Sequence, residues 1–124
     1  MSILGIVQTE MENMGIPYEF MRYTSPVNGR YWIGEWSESP VTAEDGSRHG
    51  TMLLTGTTRA NWLELYQDRE KIENRFPSVY GLRKSTENGT AVFYYGNTFP
   101  VDTGEENLKR IQINVDVYEW RCEK

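Results

Sequence analysis

The sequence predicts an α+β fold in which a mixed, mainly antiparallel sheet carries two helices on one face, with one protruding β-hairpin and the order αβββαβββ. Two runs show apolar residues at helical spacing, and six shorter runs between turn residues are typical of strands. With 124 residues, the chain is predicted to form a single domain over residues 1–124.

The centre of this prediction is a strand that leads directly into a helix. Thr51–Thr55 is an apolar run between Gly50 and Gly56, so we expect a strand buried on both faces. Thr57 or Thr58 is then expected to cap the helix that follows.

That helix is predicted to continue to Phe76, because neither glycine nor proline occurs before Pro77. Its expected buried stripe comprises Trp62, Leu65, Arg69, Ile72 and Phe76, widened by Tyr66. The opposite face is rich in charged residues, includes Asp68, and is expected to face solvent.

An amphipathic helix is predicted at the start of the chain. Ile3, Val7, Met11 and Met14 share one helical face, and Gly15 followed by Pro17 ends the helix. A strand over 18–23 and a turn over 25–29 are expected next.

The next strand, Arg30–Glu38, carries Trp32 and Trp36 on one face, where they need a large apolar partner surface. The polar connection Ser39–Ser47 joins it to Arg48–Thr55 as a hairpin whose tip is expected to extend past the core. A projecting ribbon of this kind is usually stabilised by a neighbour.

The last part of the chain is predicted to be antiparallel sheet. Ser78–Lys84 and Thr90–Tyr95 flank a turn and form a hairpin, and Asn97–Gly104 is expected to be a loop. Leu108–Trp120 alternates apolar and polar residues, which predicts a long half-buried strand.

Composition narrows the possible partners. A net charge of -5 disfavours a protein that grips nucleic acid, because neutralising phosphates needs a surplus of Lys and Arg. No apolar run reaches the ~18 residues of a membrane span, so no membrane contact is expected. The 4 Trp and 8 Tyr residues favour an assembly, since such side chains are enriched where chains meet.

No catalytic signature is present, so we expect no enzyme activity, catalytic residue, metal or cofactor. His49 is the single histidine, so no second imidazole can act with it. Cys122, the single cysteine, has no evident base. The acidic residues of the second hairpin do not match the spacing of a calcium loop; they are Glu35, Glu38, Glu44 and Asp45.

Two other function classes remain open. In the first, the chain is a small ligand-binding or enzymatic α+β domain whose pocket is formed by Trp32, Trp36, Glu35 and His49. In the second, it is a DNA-bound adaptor, which the acidic charge disfavours.

Three segments carry a resemblance to a known family: residues 31–35 (YWIGE), 44–46 (EDG) and 51–56 (TMLLTG). With the order of elements around them, the chain resembles the minor tail proteins of long-tailed bacteriophages. Within that group it is most similar to the tail terminator or tail completion family, together with the tail-to-head joining proteins.

The resemblance implies a structural protein of the virion neck, assembled in the cytoplasm of the bacterial host. Members form hexameric rings that cap the tail-tube protein and meet the head connector protein, while DNA passes through the lumen without specific binding. The residues that we expect at contacts with neighbouring subunits or partners are Tyr31, Trp32, Trp36, Glu44, Asp45, Arg48, His49 and Trp120.

Overall fold

The computed structural model describes residues 2–26 and 29–121, apart from the side chains of residues 40 and 41. Two positions of the predicted turn, Val27 and Asn28, and the single cysteine, Cys122, lie outside the described residues. The elements are α1 (Ile3–Asn13), β1 (Tyr18–Phe20), β2 (Tyr31–Thr42), β3 (Ser47–Thr58), α2 (Trp62–Arg75), β4 (Leu82–Ser85), β5 (Gly89–Val101) and β6 (Lys109–Arg121). The predicted α+β class and element order are confirmed.

The strands form one six-stranded sheet in the order β1-β2-β3-β6-β5-β4. Only β1 and β2 run parallel, and every other neighbouring pair is antiparallel. β3 pairs with β6 along its whole length, from Ser47 opposite Trp120 to Thr58 opposite Lys109. The two central strands therefore hold the sheet together, and the short strands β1 and β4 lie at its edges.

Helix α1 has the ends that its sequence predicts. The hydroxyl of Ser2 accepts a hydrogen bond from the amide of Gly5 at 3.1 Å, which caps the first turn. Gly15, with a φ of 73°, turns the chain away after the last turn, a left-handed conformation that glycine adopts without a Cβ penalty. The side chains of Ile6 and Met11 are buried against the sheet.

Helix α2 begins later than expected, and its cap is Asn61 rather than Thr57 or Thr58. Both threonines belong to β3, which continues to Thr58 because β6 still pairs with it there. The side chain of Asn61 accepts a hydrogen bond from the amide of Glu64 at 3.2 Å. Trp62 is 41% exposed, so the buried stripe of α2 starts at Leu65.

Both helices cover the same face of the sheet, where the core lies. The strand residues that form this core are Tyr18, Trp32, Met52, Leu54, Ala91, Phe93, Tyr95, Ile111, Ile113, Val115 and Val117. Leu53, on the other face of β3, is only half-buried. The prediction that this strand is buried on both faces was therefore wrong, because both helices lie on one side.

A buried carboxylate joins α2 to β2. Asp68, predicted on the solvated face of α2, is only 1% exposed. It accepts a hydrogen bond from the indole N–H of Trp32 at 2.9 Å and forms an ion pair with Arg30. The fully buried indole needs an acceptor, and the charged acceptor in turn needs a counter-ion. The prediction for Asp68 failed because helical spacing does not indicate which polar residue meets a buried donor.

A second buried carboxylate joins α1, α2 and β4. Glu10 is 3% exposed and forms ion pairs with Arg75 of α2 and Lys84 of β4. The hydrogen bond from Arg75 is the main cause that lowers the pKa of Glu10, against the opposing effect of burial. The carboxylate is therefore held in its charged form in the folded protein.

Several strand bounds differ from the prediction. β1 ends at Phe20, and β5 continues through Pro100 to Val101, where a loop was expected, because β6 pairs with it as far as Arg110. The second hairpin projects less than expected, since β6 accompanies β3 as far as Ser47. Only its turn extends beyond the ladder between β3 and β6.

We expect Asp68→Ala to lower the free energy of unfolding by about 1–3 kcal/mol, because the indole N–H of Trp32 loses its acceptor inside the core. Asp68→Asn should cost less, since an amide oxygen can still accept that hydrogen bond. Urea unfolding of both variants, with the exposed Glu70→Ala as control, measures the difference. If Asp68→Ala and Asp68→Asn lower the free energy of unfolding equally, Asp68 does not act as the acceptor for Trp32.

We expect Glu10→Gln to destabilise the protein by about 1–3 kcal/mol at neutral pH, because the ion pairs with Arg75 and Lys84 are lost. The folded-state pKa of Glu10 lies below its ordinary value of 4.5, so this stabilisation is complete above that value and disappears as the pH falls through the folded-state pKa. Urea unfolding at several pH values should show the two proteins converging in acid. Glu12→Gln, an exposed change on the same helix, is the control for the loss of a carboxylate from α1.

Candidate assembly surfaces

The face of the sheet opposite the helices is open. On β6, and on β3 from His49 to Thr55, it presents alternate side chains that are half-buried or exposed, mainly polar with some aromatic rings. Tyr118 lies at the centre of an aromatic row at one end of this face, with Tyr94 edge-on at 5.9 Å between ring centroids. A sheet face of this kind can remain solvated or can meet another surface.

His49 belongs to the same row. Its ring stacks on Tyr118 with centroids 4.7 Å apart, and its Nε2 lies 3.2 Å from a carboxylate oxygen of Asp116. The side chains of His49 and Asp116 are both more than a third exposed. This arrangement fixes the orientation of the imidazole on the surface.

The expected contact residues are divided among three regions. By the alternation of their strands, Tyr31, His49 and Trp120 lie on the open face. Glu44 and Asp45 lie in the exposed turn of the hairpin, where Asp45 accepts hydrogen bonds from the amide and hydroxyl of Ser47 at 3.0 and 2.7 Å. The remaining three, Trp32, Trp36 and Arg48, point to the helix-bearing face.

Trp32 was wrongly predicted as a contact residue, because its side chain is fully buried. Its ring lies against Gly56 on the neighbouring strand, where an added Cβ would be 2.5 Å from the indole. Trp36 remains half-exposed, packs in the same way over Gly50, and donates its indole N–H to Glu38 at 3.2 Å. Trp36 is thus the tryptophan of β2 that a partner can reach.

The pocket expected from the first alternative function does not form. Trp32 and Trp36 face the helices, whereas Glu35 and His49 face the open side, so the sheet itself separates the two pairs. A cleft elsewhere, at one end of the sheet, has a volume of about 640 Å³ and is lined by Gly29, Tyr31, Thr57, Thr58, Arg59, Ala60 and Leu108.

Within residues 2–26 and 29–121, no three His, Cys, Asp or Glu side chains come together in a way that could hold a metal ion. Neither of the two described helices has the length and apolar character that a membrane span requires.

The outer edge of β2 is covered only at its beginning. β1 pairs with Trp32 to Gly34 and then ends, because Met21 adopts a left-handed φ of 68° that turns the chain away. The carboxylate of Glu19 holds this turn by accepting hydrogen bonds from Thr24 and Ser25. Those bonds, chiefly that from the Thr24 hydroxyl, lower the pKa of Glu19 to about 2. On its outer side, away from β3, the rest of β2 has no described strand beside it.

The edge of the sheet at β5 has a different character. β4 covers β5 only from Thr90 to Phe93. Farther along, the amide of Tyr95 donates to the carbonyl of Phe76 at 2.8 Å, Gly96 forms a bulge, and Pro100 has no N–H. Bulges and prolines are features that prevent pairing with another chain. This part of the edge is therefore protected.

The outer edge of β4 is short and basic. Leu82 and Lys84 point toward the helices, where Leu82 packs on the core and Lys84 meets Glu10. Arg83 and Ser85 lie on the open face and are exposed. In the part of the chain that the structure describes, no strand pairs with β4 on the side away from β5.

The chain matches no model of a known protein family and no curated protein sequence. A function for this chain therefore has to be inferred from the surfaces described above. Sequence reasoning omitted Tyr94, Tyr118 and Arg83 from the candidate contacts. For Tyr118 a signal was available, because the alternation of 108–120 already assigns it to the same side as Trp120.

We expect Met21→Gly to raise the free energy of unfolding by up to about 1 kcal/mol, because glycine adopts the left-handed conformation without strain. Little burial is lost, since Met21 is 60% exposed. Arg22→Gly, next to it and without a left-handed φ, is the control and should be neutral or destabilising. If urea unfolding shows that Met21→Gly and Arg22→Gly lower the free energy of unfolding equally, the turn at Met21 is not strained.

Proposed function

We propose that the chain is a structural protein of a phage or prophage tail, whose copies form a ring that ends the tail tube and joins it to the head connector. The observation that carries this proposal is the one-sided sheet. Its helices cover one face, while the open face and parts of two edges are available to other chains.

Uncovered strand edges favour assembly for a physical reason. Backbone N–H and C=O groups at such edges are strong hydrogen-bonding groups, and a neighbouring chain can pair with them. When different surfaces of identical subunits meet, the contacts repeat from one copy to the next and close into a ring if the rotation permits. The two edges of this sheet differ in length, charge and protection, which suits such a head-to-tail contact.

The charge of the chain is compatible with DNA passing through the ring. With a net charge of -5 per subunit, an assembled ring repels the phosphate backbone overall. A lumen that does not bind DNA lets it slide, whereas clustered Lys and Arg would hold it. This charge also favours solubility of subunits that await assembly.

The proposal is tested by measuring the mass of the purified protein with and without tail-tube protein, at micromolar concentration, by mass photometry. We expect a closed ring of about six copies that binds the end of the tube. An unrelated protein of similar charge, mixed with the same tubes, is the control. Monomers under every condition, with no binding to tube ends, would refute the proposal.

A further inference from the structure

We propose that neighbouring subunits join through their sheets, with β4 of one subunit pairing along the outer edge of β2 in the next. This inference rests on the proposed ring and specifies the contact that builds it. The contact requires free backbone groups on both strands, a matching position along the sheet and complementary charge.

On β2, alternate residues direct their backbone groups to the outer edge. The amide of Trp32 donates to the carbonyl of Pro17 at 2.8 Å, and the carbonyl of Gly34 accepts from the amide of Met21 at 2.8 Å. The same alternation directs the N–H and C=O groups of Trp36 and Glu38 outward. Beyond the end of β1, these groups have no backbone partner among the described residues.

On β4, the outward groups follow from the hairpin that joins it to β5. Thr86 and Gly89 exchange backbone hydrogen bonds in both directions, so Lys84 and Leu82 are the next residues bonded to β5. Arg83 and Ser85 therefore direct their N–H and C=O groups away from the sheet. The outward N–H and C=O groups of these two residues are the ones that would pair with those of Trp36 and Glu38 in the next subunit.

The two edges lie at the same end of the sheet. The registers connect Leu82 to Phe93, Phe93 to Val117, Val117 to Gly50 and Gly50 to Glu38. Leu82 and Glu38 are thus at one level on opposite edges. Four antiparallel steps separate β2 from β4, so the two strands point in the same direction. Two copies with their helices on the same side can pair these strands in parallel after a shift of only a few residues.

The charges on the two edges are opposite. The uncovered part of β2 carries Glu35 on the open face and Glu38 on the helix-bearing face. β4 carries Arg83 on the open face, where it is exposed. A contact between β2 and β4 brings Arg83 toward Glu35. Pairing two β2 edges would oppose carboxylates, and pairing two β4 edges would oppose guanidinium groups, so both symmetric contacts are disfavoured.

A charge exchange tests the pairing. Arg83→Glu and Glu35→Arg each place like charges in every contact, and we expect each to reduce the association constant of the ring at least about tenfold. The double variant carries the exchanged charges in every contact and should restore assembly. Lys71→Glu, an exposed reversal on α2, is the control and should assemble as the unmodified protein does.

A second variant tests the backbone contact itself. Ser85→Pro removes an N–H that points away from β5, so no hydrogen bond within the subunit is lost. The folded monomer should persist, as measured by urea unfolding, while ring assembly is lost. Ser85→Ala keeps the N–H and should assemble normally.

The outcomes separate this inference from the proposed function. If rings form but neither the charge reversals nor Ser85→Pro weaken them, the proposed pairing of β4 with β2 is wrong. The proposal that the chain forms a ring is then still supported. If the unmodified protein forms no ring with tube protein, both are wrong. Loss of rings in the single reversals and Ser85→Pro, with recovery in the double variant, supports the pairing.

Discussion

The structure depends on the contact between the indole of Trp32 and the carboxylate of Asp68. Trp32 is the largest of the fully buried side chains, and its N–H needs an acceptor inside the core. Asp68 supplies that acceptor from α2, at 2.9 Å, and Arg30 balances its charge. The contact therefore fixes where α2 lies on the sheet, and with it which face of the sheet is covered.

The remaining architecture follows from covering only one face. Glu10 joins α1 to α2 and β4 through Arg75 and Lys84, so both helices are fixed on the same side. The opposite face presents polar side chains and an aromatic row around Tyr118. One layer of helices on one sheet is enough for a core, but it leaves a face and edges that a monomer does not cover.

The edges of the sheet differ in how accessible their backbone groups are to another chain. The later part of β5 has a bulge, Pro100 and an amide already bonded to Phe76. β2, by contrast, loses its neighbour where Met21 turns the chain away, and Glu19 stabilises that turn. Because pairing is hindered at one site and left open at another, an assembly of these subunits would be directed to particular strands.

The sequence alone determined the class of fold, because periodicity of 3.6 or 2 residues follows directly from which side chains are apolar. It predicted α1 well, since Ser2 and Gly15 act through the adjacent backbone. It also predicted β6 well, since its alternation is regular.

Only the tertiary structure decided which polar residue is buried, which helix cap is used and which edge is free. Asp68 is buried because a donor from a strand 36 residues away in the chain needs it, and Asn61 is the cap because β6 extends β3. These outcomes depend on long-range partners, and no local pattern in a sequence specifies the partner of a side chain or the register of a strand.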